Sequence, residues 1–202
     1  MSILISIVGV SGVGKTTLAR ALCERFDFAM AFEQHAERPF QALFKQDAKY
    51  ALANQMDYLL FRAEQERVLR NGDRHALMDG GFDLDFFGFT RLFHAHGWLT
   101  AEEFDLCRRF YTLTRDLLPP PELVIALNAE PRVVSERLAA RNRINIASEK
   151  DAGLFKEYLD EWLRSLPKEN LLELNVSHEN SDYTQSVPMI LERIRMQFNL
   201  PE

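Results

Sequence analysis

Positions 9 to 16 read Gly9-Val10-Ser11-Gly12-Val13-Gly14-Lys15-Thr16, and the apolar run Ile3 to Val8, suited to a buried strand, stands directly before them. Glycine at the first and sixth places, followed by lysine and threonine, is the spacing of a phosphate loop. The glycines let the backbone turn its N–H groups onto phosphate oxygens, Lys15 supplies a cation, and the Thr16 hydroxyl can ligate magnesium. Thr17 completes the candidate nucleotide-binding set. A helix expected from Lys15 to about Arg25 would aim its positive end at the same phosphates. The alternative is a glycine-rich turn that binds nothing, which the complete motif in its strand-to-helix setting disfavours.

Four further groups of side chains have types that suit phosphoryl chemistry. The strand-like run Phe28 to Phe32 delivers Glu33 to the end of a sheet, beside the phosphate loop if the two strands are near neighbours. A carboxylate there can take a proton from an attacking hydroxyl. A solvated glutamate at a strand end is the plainer alternative. The apolar Ala76-Leu77-Met78 ends in Asp79, placed as an acid near magnesium. Arg137 and Arg141 share a helix face and Arg143 follows, so three guanidiniums can close on triphosphate oxygens, or they are solvated helix arginines. Gln55 and Arg62 lie seven apart on one face of a long helix, where an amide suits a nucleobase edge and an ordinary polar face is the alternative.

These residues need a scaffold, and the pattern supplies one. Strand-like runs at Ile3–Val8, Phe28–Phe32, Ala76–Met78, Leu123–Leu127 and Leu171–Val176 alternate with helical stretches. The helices are expected at Lys15–Arg25, Pro39–Lys45, Ala48–Arg70, Phe86–Ala95, Thr100–Leu118, Pro131–Asn142, Gly153–Leu166 and Tyr183–Phe198. Alternation predicts an α/β fold: a five-stranded parallel sheet with helices on both faces, its ligands at the carboxyl ends of the strands. Thr100 with Glu103 reads as a capping box, and Pro119-Pro120-Pro121 closes the helix it starts. Asn71-Gly72 makes the neighbouring Asp73-Arg74-His75 a surface turn. The phenylalanines at 40, 44, 82, 86, 87, 89 and 93 are expected mostly in the core.

The 202 residues suit a single domain over 1–202 with a lid near 141–150, where Ile144 to Glu149 has weak helical pattern. With 24 basic against 30 acidic side chains and a net charge of -6, no broad positive field exists to hold a nucleic acid. Two cysteines, Cys23 and Cys107, without metal-ligand spacing, and no membrane-length apolar run or cleavable signal, predict reduced thiols and a soluble, cytoplasmic protein.

Together these positions resemble the deoxynucleoside kinases, a phosphate-loop kinase family, over nearly the whole chain. The resemblance implies ATP as phosphate donor with Mg2+, a nucleoside acceptor and a homodimer formed through the helices around 86–95 and 100–118. It implies Glu33 as base on a nucleoside 5′-hydroxyl, Asp79 near magnesium, and Gln55 and Arg62 at the base, with Asp85 pairing the arginine. It also implies Arg137, Arg141 and Arg143 as lid arginines, the last two catalytic beside Lys15, followed by Glu157-Tyr158-Leu159. An arginine–aspartate pair beside a glutamine amide fits adenine, cytosine or guanine deoxynucleosides better than thymidine.

This chain departs from the family pattern at three places. Gly80 stands where an arginine is usual after the acid. Phe44 replaces the tyrosine that binds the sugar 3′-hydroxyl, and Asn145-Ile146 replace the acidic lid residue that helps it. Glu37 or Tyr50 then holds the sugar, or the substrate is not an ordinary deoxynucleoside. The alternatives at this stage are a kinase of another small acceptor, such as a nucleoside monophosphate or modified nucleoside, and a phosphate-loop ATPase or switch. The switch class lacks support because no Asn-Lys-x-Asp element occurs, and the motor type because Asp79 is followed by Gly80 rather than an acid.

Overall fold

The computed structural model describes residues 2–31, 37–139 and 149–199. Five strands form one parallel sheet: β1 (Leu4–Val8), β2 (Ala29–Ala31), β3 (Ala76–Asp79), β4 (Leu123–Asn128) and β5 (Leu171–Asn175). Their order is β2-β3-β1-β4-β5. Nine helices are described: α1 (Lys15–Cys23), α2 (Pro39–Phe44), α3 (Ala51–Arg70), α4 (Phe82–Leu84), α5 (Arg91–Ala95), α6 (Ala101–Leu117), α7 (Pro131–Ala139), α8 (Glu149–Ser165) and α9 (Ser186–Phe198). No helix among the described residues is long and apolar enough to cross a membrane.

Every residue of β1 is buried, as a central parallel strand covered on both faces requires. Ile3, Ile5 and Ile7 point to one side, against Leu18 and Leu22 of α1 and Ile190 and Ile194 of α9. On the other side, Val8, Val124 and Ala126 meet Leu159, Trp162 and Leu163 of α8, and Leu4, Ala76 and Met78 meet Leu69 of α3. A separate apolar cluster joins α3, α4, α5 and α6 through Leu59, Phe82, Phe93 and Cys107. Of the seven phenylalanines expected in the core, Phe82, Phe86 and Phe93 are buried and Phe40 is exposed.

Three helix starts differ from expectation, and the helix expected from Tyr183 begins at Ser186. The helix expected from Phe86 begins at Phe82, because Gly81, at φ 137°, ends the turn after β3 and starts α4 there. Asp85 to Thr90 then forms a π-helical turn leading into α5. The helix expected from Gly153 starts at Glu149, so Gly153 is tolerated within it at the cost of some stability.

The capping box is present: Glu103 N–H donates to Thr100 Oγ1 at 3.2 Å, and Thr100 N–H donates to Glu103 Oε2 at 2.8 Å. Thr100→Ala is expected to lower stability by about 1 kcal/mol in urea denaturation, since α6 then begins with an unsatisfied donor. An unchanged midpoint would show that solvent replaces the cap.

Candidate active site

Order within the sheet decides what meets. β1 lies between β3 and β4, and Ile7 of β1 is in register with Asp79 of β3, so the loop after β1 and the residues after β3 emerge side by side. β2 pairs with β3, Ala31 opposite Met78, so β3 separates it from β1. The expectation of near-neighbour strands is therefore met at one remove, about 10 Å across the sheet by two strand spacings. Glu33 itself lies outside the described residues, as do Arg141, Arg143, Asn145 and Ile146, and with them the expected lid between α7 and α8.

The phosphate loop turns through left-handed glycines, with φ 147° at Gly9, 82° at Gly12 and 115° at Gly14. A side chain at Gly14 would overlap the Tyr183 hydroxyl, which donates to the Gly14 carbonyl at 3.2 Å. Lys15 Nζ donates to the carbonyls of Gly9 and Val10 at 2.9 and 3.1 Å, which places the ammonium over the mouth of the loop. Arg137, expected at the triphosphate, donates from Nη1 to Val13 O at 2.6 Å and from Nη2 to Val176 O at 3.0 Å. Its guanidinium thus ties the loop to the end of β5. Tyr183 and the Arg137 anchor carry no local sequence signal, because their partners are backbone atoms far along the chain.

The Thr16 hydroxyl hydrogen-bonds Asp79 Oδ2, joining the first turn of α1 to the end of β3. Among the described residues no group of three or more histidines, cysteines or acids could hold a metal. A hydroxyl beside one carboxylate is a hard oxygen set, and it fits magnesium, which takes few protein ligands and completes its shell from phosphates and water.

A cleft runs from this corner toward α3. It is lined by Gly9, Ser11 and Lys15 of the loop, by Gly80, Leu84, Asp85 and Phe89 after β3, and by Arg62. Arg62 Nε donates to Asp85 Oδ2 at 3.1 Å with both side chains buried, so the pairing that the family resemblance implied is made. Gln55, two turns earlier on the same face of α3, is buried, and the Thr90 hydroxyl at the end of the π turn donates to its Oε1 at 3.1 Å. Sequence reading missed Thr90, since a π turn leaves no periodic mark. It also missed Asn54, a buried neighbour of Gln55 whose Oδ1 has no hydrogen-bond partner among the described residues.

The sugar-side candidates fall elsewhere. Phe44 packs on Phe93 and Trp98 with ring centroids at 4.8 and 5.2 Å, an apolar wall without a hydroxyl. Glu37 pairs with Lys45, and Tyr50 lies under the Lys49 ammonium; neither lines the cleft.

Behind the cleft, Arg115 of α6 bridges Glu66 of α3 at 2.8 Å and Asp83 of α4 at 2.8 Å, and the Tyr111 hydroxyl donates to Asp83 at 2.7 Å. Burial disfavours the charged guanidinium, but Asp83 and Glu66 outweigh it and hold Arg115 protonated. Burial first, and Asp83 second, push the Tyr111 phenol far above its usual range. This network locks α3, which carries Gln55 and Arg62, to the segment that carries Asp85.

The family model described as deoxynucleoside kinase matches residues 5–198. The chain belongs to the deoxynucleoside kinase family. It is 31% identical to a deoxyadenosine kinase of Dictyostelium discoideum over 157 residues, which are 77% of this chain and 61% of that protein. It is 28% identical to a deoxyguanosine kinase of Bacillus subtilis over 141 residues, 69% of this chain and 67% of that one. The fold of this family member is that of deoxyadenosine kinase from M. mycoides. The TM-score is 0.78 against the structure with the products dCMP and a flexible dCDP and 0.77 against that with dATP, each at 16% identity over 96% of the chain. The match covers 100% and 99% of those two chains.

Proposed function

We propose that this family member transfers the γ-phosphate of ATP to the 5′-hydroxyl of a deoxynucleoside, with deoxyadenosine, deoxycytidine and deoxyguanosine favoured over thymidine. The observation that carries the reading is that the phosphate loop and the Arg62–Asp85 pair line one cleft together. Lys15 and the loop amides hold the phosphates, while Gln55 and the Arg62–Asp85 pair face the acceptor. Thr16 and Asp79 would hold magnesium, which would supply neutralising charge to the phosphates.

Glu33 accepts the proton of the 5′-hydroxyl. The bond from that oxygen to the γ-phosphorus forms as the bond to the β,γ-bridging oxygen breaks, and the leaving electrons stay on ADP. Arg141 and Arg143 meet the developing charge from the lid side. Catalysis of this kind is positioning and electrostatics, because phosphoryl transfer leaves the protein little covalent work.

Labelled ATP incubated with the protein and, separately, with deoxynucleosides, nucleoside monophosphates or water tests the reading. Label in a deoxynucleoside 5′-monophosphate supports it. Label in a diphosphate assigns another acceptor, and label only in inorganic phosphate makes the protein an ATPase.

The reading extends to a single cytoplasmic kinase domain over 1–202 that works as a homodimer. Leu106, Leu113 and Leu117 form one exposed stripe on α6, and Leu60 and Val68 are exposed on α3. Such faces mark interaction sites when contiguous. Light scattering at micromolar concentration is expected to give the mass of two chains, and Leu113→Glu the mass of one. A wild-type monomer contradicts the dimer.

A further inference from the structure

Two consecutive carbonyls of the phosphate loop are held from elsewhere in the chain. The Val13 carbonyl accepts from Arg137 of α7, and the Gly14 carbonyl accepts from the Tyr183 hydroxyl and, at 3.0 Å, from the Leu18 N–H of α1. In a trans peptide the C=O of one residue and the N–H of the next point in opposite directions. With its carbonyl turned along α1, the Gly14–Lys15 peptide therefore directs the Lys15 N–H out of the positive end of that helix. Gly14, at φ 115° and ψ 17°, caps α1 without a side-chain hydrogen bond. Tyr183 is buried and itself left-handed, at φ 49°, a conformation that a bulky residue adopts only where its surroundings impose it. The turn before α9 does so: the Asn180 carbonyl accepts the Tyr183 N–H at 3.3 Å, and Asn180 Oδ1 accepts the Asp182 N–H at 3.1 Å.

We propose that Tyr183 is a positioning residue for the phosphate donor: by holding the Gly14 carbonyl, its hydroxyl fixes the peptide whose other side, the Lys15 N–H, is aimed at the phosphates. A glycine in the left-handed region leaves the adjoining peptide free to turn. The hydroxyl removes that freedom before ATP arrives, so less ordering is left to the binding step. A donor on the carbonyl also polarises the peptide and strengthens its N–H as a donor in turn. Tyr183 acts through the backbone and touches no reacting atom. Its effect is confined to the phosphate chain and is the same whatever base or acceptor is present. The assignment rests on the part of the kinase reading in which the loop holds ATP.

Equilibrium binding to Tyr183→Phe reads this role, with ATP, inorganic tripolyphosphate and the deoxynucleoside that the wild type phosphorylates fastest as ligands. The substitution keeps the ring and its packing and removes only the hydroxyl. ATP and tripolyphosphate are each expected to bind roughly fivefold more weakly, the equivalent of one neutral hydrogen bond. Affinity for the deoxynucleoside stays as in the wild type, and in steady state KM rises for ATP alone.

Wild-type affinity for ATP and tripolyphosphate in a folded Tyr183→Phe protein overturns the proposal. So does a loss for ATP alone, which puts the hydroxyl on the nucleoside part of the donor, and so does an equal loss for the deoxynucleoside, which makes the role one of general stability. Should Tyr183→Phe fail to fold by circular dichroism, a crystal structure of the wild type with ATP decides. The Tyr183 hydroxyl is expected about 3 Å from the Gly14 carbonyl with the Lys15 N–H on a phosphate oxygen, and a hydroxyl turned away from Gly14 in that complex overturns the proposal. A wild-type protein that binds neither ATP nor tripolyphosphate removes the kinase reading itself, and this inference with it.

Discussion

A Glu33→Gln enzyme is expected to bind ATP as tightly as the wild type and to turn over roughly a hundred- to ten-thousand-fold more slowly, the range that a general base contributes. In the proposed reading ATP is held by the loop after β1, by Lys15 and by Thr16 with Asp79, none of which the substitution touches. The amide of glutamine keeps the size of the side chain and can still accept a hydrogen bond, but it cannot take up a proton at neutral pH. The pH profile adds an independent check. The wild type is expected to lose kcat on the acid side as its base becomes protonated, and the variant to lack that limb. Single-turnover kinetics with equilibrium ATP binding measure both quantities, and turnover within tenfold of the wild type would remove Glu33 from the mechanism.

The largest expected effect on stability is at Arg115, far from the loop. Its guanidinium stands between Glu66, fully buried, and Asp83, 5% exposed. Arg115→Met leaves Asp83 buried without a cation and Glu66 paired with Arg70 alone. Breaking a buried pair in this way costs about 3–5 kcal/mol, and urea denaturation should show it. Replacing all three groups together, Arg115→Met with Glu66→Gln and Asp83→Asn, is expected to recover much of the loss, because no uncompensated charge then remains. A single substitution that costs less than about 1 kcal/mol, the median of an exposed pair, would mean that water reaches the network.

Local requirements made the phosphate loop legible, since the backbone can wrap a phosphate only with glycines at fixed places, and those places fall within eight consecutive residues. The five strands and the capped α6 were legible because periodicity and capping are short-range signals. Order within the sheet was not. That β3 comes between β1 and β2 depends on pairings between residues far apart in sequence, so the relation of β2 to the loop had to be conditional. The π turn from Asp85 to Thr90 was hidden in an almost wholly apolar run, DFFGFT, whose spacing marks no helical face.

The candidate site divides in the same manner. Arg62 and Asp85 were paired by the family resemblance, and the structure joins them. Arg137 was placed at the triphosphate, and it reaches the loop through carbonyls that no side-chain pattern announces. Gly80 was legible only as a missing arginine; the guanidinium that fills its corner comes from α3, eighteen positions earlier. Arg115 drew no notice because its partners, Glu66 and Asp83, lie on two other helices.

The most direct test of the central claim is a crystal structure of the protein with a non-hydrolysable ATP analogue, magnesium and a deoxynucleoside together. The account places the 5′-oxygen in line with the γ-phosphorus and a carboxylate oxygen of Glu33 about 3 Å from it, within hydrogen-bond reach of the proton it removes. A complex in which the triphosphate lies in the loop while the nucleoside's 5′-oxygen points away from both the γ-phosphate and Glu33 would contradict it.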